Sequence, residues 1–256
     1  MLQIETSVHQ VDLGKAALPH YFKNYEEFLG PLRAQPLDFL ELGVAEGASL
    51  RHWESWLPQA RITGIDIKPC PISFAAGRVK TYIGEQQDKA FLDRVAAERA
   101  PQGFDVIIDD ASHVGQLTRI SFWHLFEHHL KPGGLYVIED WGTGYWTQYP
   151  DGRKLRPRKV DFDWYEKALS RLHGLAFLRR AAFLRKPIGW LRWNMVKSRH
   201  RSHDFGMVGF VKELVDECGI EDATHPGFGL GPQRASRFEW MRISLGQVII
   251  RKAAPR

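Results

Sequence analysis

Phe104-Asp105-Val106-Ile107-Ile108-Asp109-Asp110-Ala111-Ser112-His113 and Leu135-Tyr136-Val137-Ile138-Glu139-Asp140 decide the fold of this chain. In each, an apolar run closes in carboxylates. Short runs of this kind, without polar alternation, read as strands covered on both faces in a parallel sheet. In an open α/β sheet, ligands sit beyond the carboxyl ends of the strands. If the two strands are neighbours, Asp109, Asp110, Glu139, Asp140 and the imidazole of His113 crowd one rim. Like charges so placed repel unless a cation or a proton lies between them. The pattern therefore points to a ligand site that holds a metal.

Outward from these runs, strand and helix patterns alternate. Asp38 to Leu42 reads as a first strand, ending at the turn Gly43-Val44-Ala45-Glu46-Gly47, and Ser49 to Leu57 follows with helical spacing. Arg61 to Ile65 is a second strand ending in Asp66, and Val79 to Ile83 a third ending near Gly84-Glu85-Gln86. Asp88 is placed to cap a helix running to Ala100. Phe104 to Asp109 is the fourth strand, His113 to Leu130 a helix stopped by Lys131-Pro132-Gly133-Gly134, and Leu135 to Glu139 the fifth strand. Such alternation predicts a doubly wound, mostly parallel α/β sheet. After a basic interruption, Phe205 to Cys218 reads as a helix stopped by Gly219. Phe238 to Ile243 and Gln247 to Arg251 then form an antiparallel edge hairpin turning at Leu245-Gly246.

Composition narrows the class. The 256 residues, 44% hydrophobic and 25% charged, suit a soluble globular domain large enough to bury a core. Cys70 and Cys218 are far apart in sequence and match neither a disulfide framework nor a zinc site, as expected of a reducing cytosol. The first residues lack an apolar core of signal-peptide length, and no run reaches the roughly 18 apolar residues of a membrane span. A cytoplasmic protein is expected. Between residues 151 and 203 stand 15 Lys and Arg against 4 Asp and Glu, a local charge of +11 that leaves −6 for the rest.

Gly43 and Gly47 flank a turn where backbone can approach a ligand closely. Taken alone, Gly-x-Ala-x-Gly is compatible with a dinucleotide, a nucleotide or a simple tight turn. Asp66 narrows the choice, since an acid about 20 residues on suits a ribose diol. No P-loop motif is present. LELGVAEGASL, GIDI, GEQQD, FDVIIDDASH and KPGGLYVIEDWGTGYW together resemble the class I S-adenosylmethionine-dependent methyltransferases, over about residues 38–146. Within them, the similarity is to metal-dependent sugar O-methyltransferases of macrolide biosynthesis (the mycinamicin type) and to rhamnosyl O-methyltransferases. The macrolide enzymes are longer, with an N-terminal auxiliary region for which this chain has little room.

The resemblance implies that Glu41, Gly43 and Gly47 line the methionine part of S-adenosylmethionine. It places Asp66 on the ribose hydroxyls, Gln86 near the adenine and Asp109 close to the sulfonium. Asp110, Glu139 and Asp140 match the metal carboxylates, and His113 the catalytic base. Hard oxygen donors suit Mg²⁺, or Mn²⁺, better than zinc. A sugar hydroxyl is a poor nucleophile at neutral pH. A bound cation that acidifies it and a base that takes its proton are the two remedies. His124, His128 and His129, on the helix after His113, read as surface or packing residues. Trp141, Tyr145 and Trp146 suit either an aromatic wall for a sugar ring or the core.

The chain is thus expected to be one methyltransferase domain. It comprises an N-terminal helical segment (1–37), a cofactor-binding core (38–141), a basic insertion or lid (142–205) and a C-terminal helix and hairpin (206–256). The expected partner is a small-molecule or glycolipid acceptor, with a homo-oligomer left open. Arg179, Arg180, Arg185, Lys186 and Arg192 interleave with Phe177, Phe183, Trp190 and Trp193. That pattern suggests peripheral contact with the inner membrane face through residues 175–201. Two alternatives are weighed against this reading. An RNA or other nucleic-acid methyltransferase ranks lower, because the fourth strand ends in Asp109-Asp110-Ala111-Ser112 instead of the Asn/Asp-Pro-Pro-aromatic signature of amino methylation. The other is a cofactor-binding membrane or partner module without catalysis.

Overall fold

β-Branched and aliphatic runs form the strands where the sequence places them. In the computed structural model, which describes residues 19–74, 77–154 and 203–255, helix α1 (Pro19–Phe28) and a 3₁₀ turn at Gly30–Leu32 precede the sheet. There follow β1 (Asp38–Leu42), α2 (Ala48–Trp56), β2 (Arg61–Asp66), β3 (Val79–Ile83), α3 (Lys89–Arg99), β4 (Phe104–Asp109), α4 (Gly115–His128) and β5 (Leu130–Glu139). A 3₁₀ turn at Trp141–Tyr145 leads to a short helix, α5 (Pro150–Lys154). After the undescribed stretch come α6 (Gly206–Cys218), α7 (Ile220–Ala223), β6 (Phe238–Ile243) and β7 (Gln247–Lys252). The chain divides into a compact unit of Met1–Lys154 with Asp204–Arg256, and a second of Leu155–His203. The expected basic contact through 175–201 lies outside the described residues. No described helix is long and apolar enough to cross a membrane.

The sheet runs β3-β2-β1-β4-β5-β7-β6. Strands β1 to β5 pair in parallel, and β7 joins β5 antiparallel with β6 outside it. The mostly parallel α/β sheet with an antiparallel edge hairpin is therefore as expected. Strand order reverses between β1 and β4, where a ligand crevice opens in such sheets.

Side chains alternate across each strand. Leu40, Leu42, Ile107, Tyr136 and Ile138 meet α3, α4 and α6 on one face. Phe39, Val106, Ile108, Leu135 and Val137 meet α1 and α2 on the other. Fully burying such a side chain contributes about 1.5–3 kcal/mol, so each central strand is held from both sides. Asp88 caps α3 as expected, accepting from the Phe91 amide at 3.1 Å.

The boundaries around α4 and β5 differ most from the sequence reading. Strand β5 starts at Leu130, so Lys131-Pro132-Gly133-Gly134 lies inside it instead of ending a helix. The irregular register with β4 between Phe104 and Val106 accommodates it, since proline and glycine are tolerated at strand ends and bulges. Helix α4 starts at Gly115, not His113, because His113 takes a left-handed φ of 52°.

One carboxylate joins two helices at the rim. The buried Asp151 Oδ2 accepts from the Gly115 amide at the start of α4 and from the Met207 amide at the start of α6, both at 2.8 Å. The backbones crowd around it: a Cβ on Gly115 would lie 2.0 Å from the Gly206 carbonyl carbon. Asp151→Ala orphans two helix N-terminal amides and should cost about 2–4 kcal/mol, lowering the thermal midpoint by roughly 5–15 °C. Asp151→Asn, which keeps an accepting oxygen, should lose less. A midpoint for the alanine variant equal to wild type would contradict the double cap.

Candidate functional site

The turn after β1 is strained into shape. Gly43, Ala45 and Gly47 have φ of 87°, 46° and 84°, in the left-handed region that glycine enters most cheaply. Gly43 also lacks room, since a Cβ there would lie 2.1 Å from the Asp110 carbonyl oxygen. Asp66 holds the turn from the end of β2. Its Oδ2 accepts from the Val44 and Ala45 amides at 2.9 Å, and its Oδ1 from the Lys68 amide at 2.9 Å. Glu41 shares the strand face of Phe39. It is buried, accepting from Ser49 Oγ at 2.8 Å and Trp53 Nε1 at 3.3 Å.

The loops beyond β1 to β5 enclose a cavity of about 1090 Å³, lined by Tyr21, Gly43, Asp66, Gln86, Asp110, Glu139 and Asp140 among others. Glu41, Gly47, Asp109 and His113 stand outside that wall. Gln86 is nearly buried. Its Oε1 accepts from the Ser112 amide at 3.0 Å, and its Nε2 donates toward Ser121 at 3.2 Å and Asp109 at 3.3 Å.

The rim acids separate by strand parity. Asp109 follows Ile107 onto the α4 face, where Ser121 Oγ donates to it at 2.9 Å and the Tyr136 hydroxyl at 3.2 Å. Burial pushes its carboxyl up to about 6, against the downward pull of these donors. Asp109 was expected beside the sulfonium. Its side chain is buried against Gln86, which lines the cavity.

Glu139 follows Val137 onto the opposite face. It accepts from the Tyr25 hydroxyl and from Gln247 Nε2 at 3.3 Å. Asp140, with φ of 52°, ends the strand and accepts from the Tyr21 hydroxyl at 2.5 Å. Burial and the neighbouring carboxylates hold both phenols well above their usual range, so they remain donors.

Ligand atoms of Asp110, His113 and Asp140 lie within 4.8 Å of one another. His113 Nε2 stands 3.9 Å from Asp110 Oδ1, and its ring meets Tyr149 edge-on at 5.8 Å. The carboxylates of Asp110 and Asp140, with Glu139 lining the same cavity, fit a hard divalent ion, and the imidazole of His113 stands beside them. His113, expected as the base, thus stands next to the expected metal carboxylates.

Helix α1 supplies groups that the sequence reading did not single out. Tyr21 and Tyr25 are four residues apart and so share a helix face. Asn24 beside them donates to Gln247 Oε1 at 2.8 Å and Ser244 Oγ at 3.0 Å. The signal was the aromatic i, i+4 pair; its target on β5 and β7 was invisible. Of the aromatic trio, Trp141 is anchored to the Ser244 carbonyl at 2.9 Å, while Tyr145 and Trp146 are exposed.

Strand order and the glycine turn define a Rossmann-like α/β fold. The curated homologues of this chain are sugar O-methyltransferases of macrolide and tetracenomycin pathways. No protein-family model matches it. It is 42% identical over 138 residues to mycinamicin VI 2''-O-methyltransferase of Micromonospora griseorubida, covering 51% of this chain and 33% of that protein. It is 41% identical over 143 residues to 8-demethyl-8-(2-methoxy-α-L-rhamnosyl)-tetracenomycin-C 3'-O-methyltransferase of Streptomyces olivaceus, covering 53% and 36%. Among solved structures, the MycE methyltransferase of the mycinamycin pathway, in complex with Mg, S-adenosylhomocysteine (SAH) and mycinamycin VI, superposes with a TM-score of 0.63 at 27% identity. That match covers 92% of this chain and 50% of the other. The chain thus spans half or less of the length of these relatives.

Gly43 and Gly77 both have positive φ, but a Cβ on Gly77 would meet nothing within 4 Å. Gly77→Ala should cost about 1 kcal/mol, the left-handed penalty alone. Gly43→Ala must also displace the backbone at Asp110 and should cost at least about 3 kcal/mol, read by denaturant unfolding. Equal losses would remove the argument for close approach.

Proposed function

We propose that this chain is an S-adenosylmethionine-dependent O-methyltransferase. Its acceptor would be a sugar hydroxyl of a small-molecule glycoside, with Mg²⁺ (or Mn²⁺) at the carboxylate rim and His113 as general base. The observation that carries the reading is the convergence of Asp110, His113 and Asp140, two of them lining the cavity that the glycine turn also lines. Homology to sugar O-methyltransferases supports the acceptor class. When bound, S-adenosylmethionine supplies an electrophilic methyl group and the divalent ion acidifies the acceptor hydroxyl.

The chain's own residues bind, orient and take the proton. Gly43 admits the methionine part, Gly47 shapes the turn beside it, and Glu41 holds Ser49 and Trp53 of α2 behind them. Asp66 already accepts backbone amides, yet a carboxylate offers about four lone-pair sites, so ribose hydroxyls can share it. Gln86 faces the adenine end, with Asp109 positioning it from below. Asp110, Glu139 and Asp140 would hold the ion, the last two kept in orientation by Tyr25 and Tyr21. His113 takes the hydroxyl proton, histidine being the side chain most often used as a general base.

His113→Ala should slow methyl transfer about 10²- to 10⁴-fold while calorimetric SAH affinity stays unchanged. EDTA should abolish turnover and Mg²⁺ restore it. Full activity of the variant would remove His113 from the chemistry, and EDTA-resistant turnover would remove the ion.

The +11 charge of residues 151–203 favours a second reading for the acceptor, a glycolipid met at an anionic membrane. Under it the protein should sediment with anionic vesicles at low salt and be released as salt rises. Absence from the pellet at low salt would leave the small-molecule glycoside alone.

A further inference from the structure

Helices α3 and α4 carry a second cluster of metal-ligating side chains that the methyl-transfer reading does not use. His124 stands nine residues beyond Gly115, about 14 Å along α4 from the rim. Its Nε2 lies 2.7 Å from Asp93 Oδ1 on α3, and His129 Nε2, just past the end of α4, lies 2.6 Å from the same oxygen. The two imidazole side chains are 9% and 19% exposed, the carboxylate 53%. The three ligand atoms all fall within 4.8 Å of one another.

The two imidazole–carboxylate distances are slightly shorter than those between ligands of one metal ion. A tetrahedral ion with bonds of about 2.0–2.1 Å sets donor atoms roughly 3.3 Å apart and two ligated imidazole centroids roughly 5 Å apart. The His124 and His129 centroids are 5.4 Å apart, and His128 lies 5.3 Å from His124. Admitting an ion requires the carboxylate to retreat by roughly 0.6–0.7 Å, which its exposure allows. Without an ion, both imidazoles must present N–H groups to one oxygen; an ion replaces both protons and satisfies all three groups. The two imidazole bonds already hold the Asp93 carboxyl below its usual range, in the ionised form a metal needs.

We propose that Asp93, His124 and His129 form a second metal site that takes a borderline ion of the zinc class and ties α3 to α4. Two imidazoles and one carboxylate suit Zn²⁺, whereas Mg²⁺ prefers oxygen donors. Water fills the fourth position, or His128 after a side-chain rotation.

The test is Zn²⁺ calorimetry on the full chain in excess Mg²⁺, paired with visible absorption of Co²⁺ in the same site. One Zn²⁺ per chain and a raised thermal midpoint are expected. Asp93→Asn, His124→Ala and His129→Ala should each weaken binding at least tenfold and remove the tetrahedral Co²⁺ band, while Asp110→Asn should leave both intact. Asp93→Asn changes an exposed side chain, so its loss of binding reads on the site and not on folding; circular dichroism checks this. Unchanged Zn²⁺ affinity in all three variants, or loss confined to Asp110→Asn, overturns the proposal. Neither result depends on methyl-transfer activity, so the two readings stand or fall separately.

Discussion

Side chains alternate across a strand, and that alternation distributes the acids at the ends of β4 and β5 instead of piling them together. Asp109 follows Ile107 to the α4 face, and Glu139 follows Val137 to the α1 face. Only Asp110 and Asp140, beyond the last paired residues, turn toward one another and toward His113. Each buried acid meets hydroxyl or amide donors on its own face: Ser121 and Tyr136 for Asp109, Tyr25 and Gln247 for Glu139. Four crowded charges would be costly. Asp109 is satisfied beneath the rim, which leaves Asp110, Glu139 and Asp140 lining the cavity.

The rim is held by parts remote in sequence. Helix α1 reaches across with Tyr21, Asn24 and Tyr25, one helix face tying β5 and β7 to the start of the described chain. Asp151 gathers the N-termini of α4 and α6 on one oxygen, where helix dipoles favour a negative charge. Gly43 and Gly115 lack side chains for the same reason, because another backbone occupies the space. Groups fixed in this way need little rearrangement when a ligand arrives, a condition for precise orientation of reacting atoms.

Much of the fold was legible in the chain. Apolar runs marked the strands, Asp88 marked a helix start, and the C-terminal pair of strands read as a hairpin. Boundaries failed where local signals competed with tertiary ones. Lys131-Pro132-Gly133-Gly134 carries a stop signal, yet a bulged pairing with β4 draws it into β5. His113 looked helical, and the rim geometry gives it a left-handed φ. Where the implied site residues would lie was less legible. Asp66, Gln86, Asp110, Glu139 and Asp140 line the cavity, whereas Asp109 and Glu41 stand behind it, supporting the residues that do.

Residue order by itself determined the periodicities, the glycine turn and the presence of acids at two strand ends, because these depend on neighbours along the chain. The tertiary structure decided which acids face each other, which are buried beneath the site, and that two phenols of α1 hold two of them. It also gathered Asp93 with His124 and His129, histidines that in sequence read as surface or packing residues. Such convergence follows from the lateral order of strands and the packing of helices across the sheet. Both are set by burial of whole faces, a property that no local stretch of sequence carries.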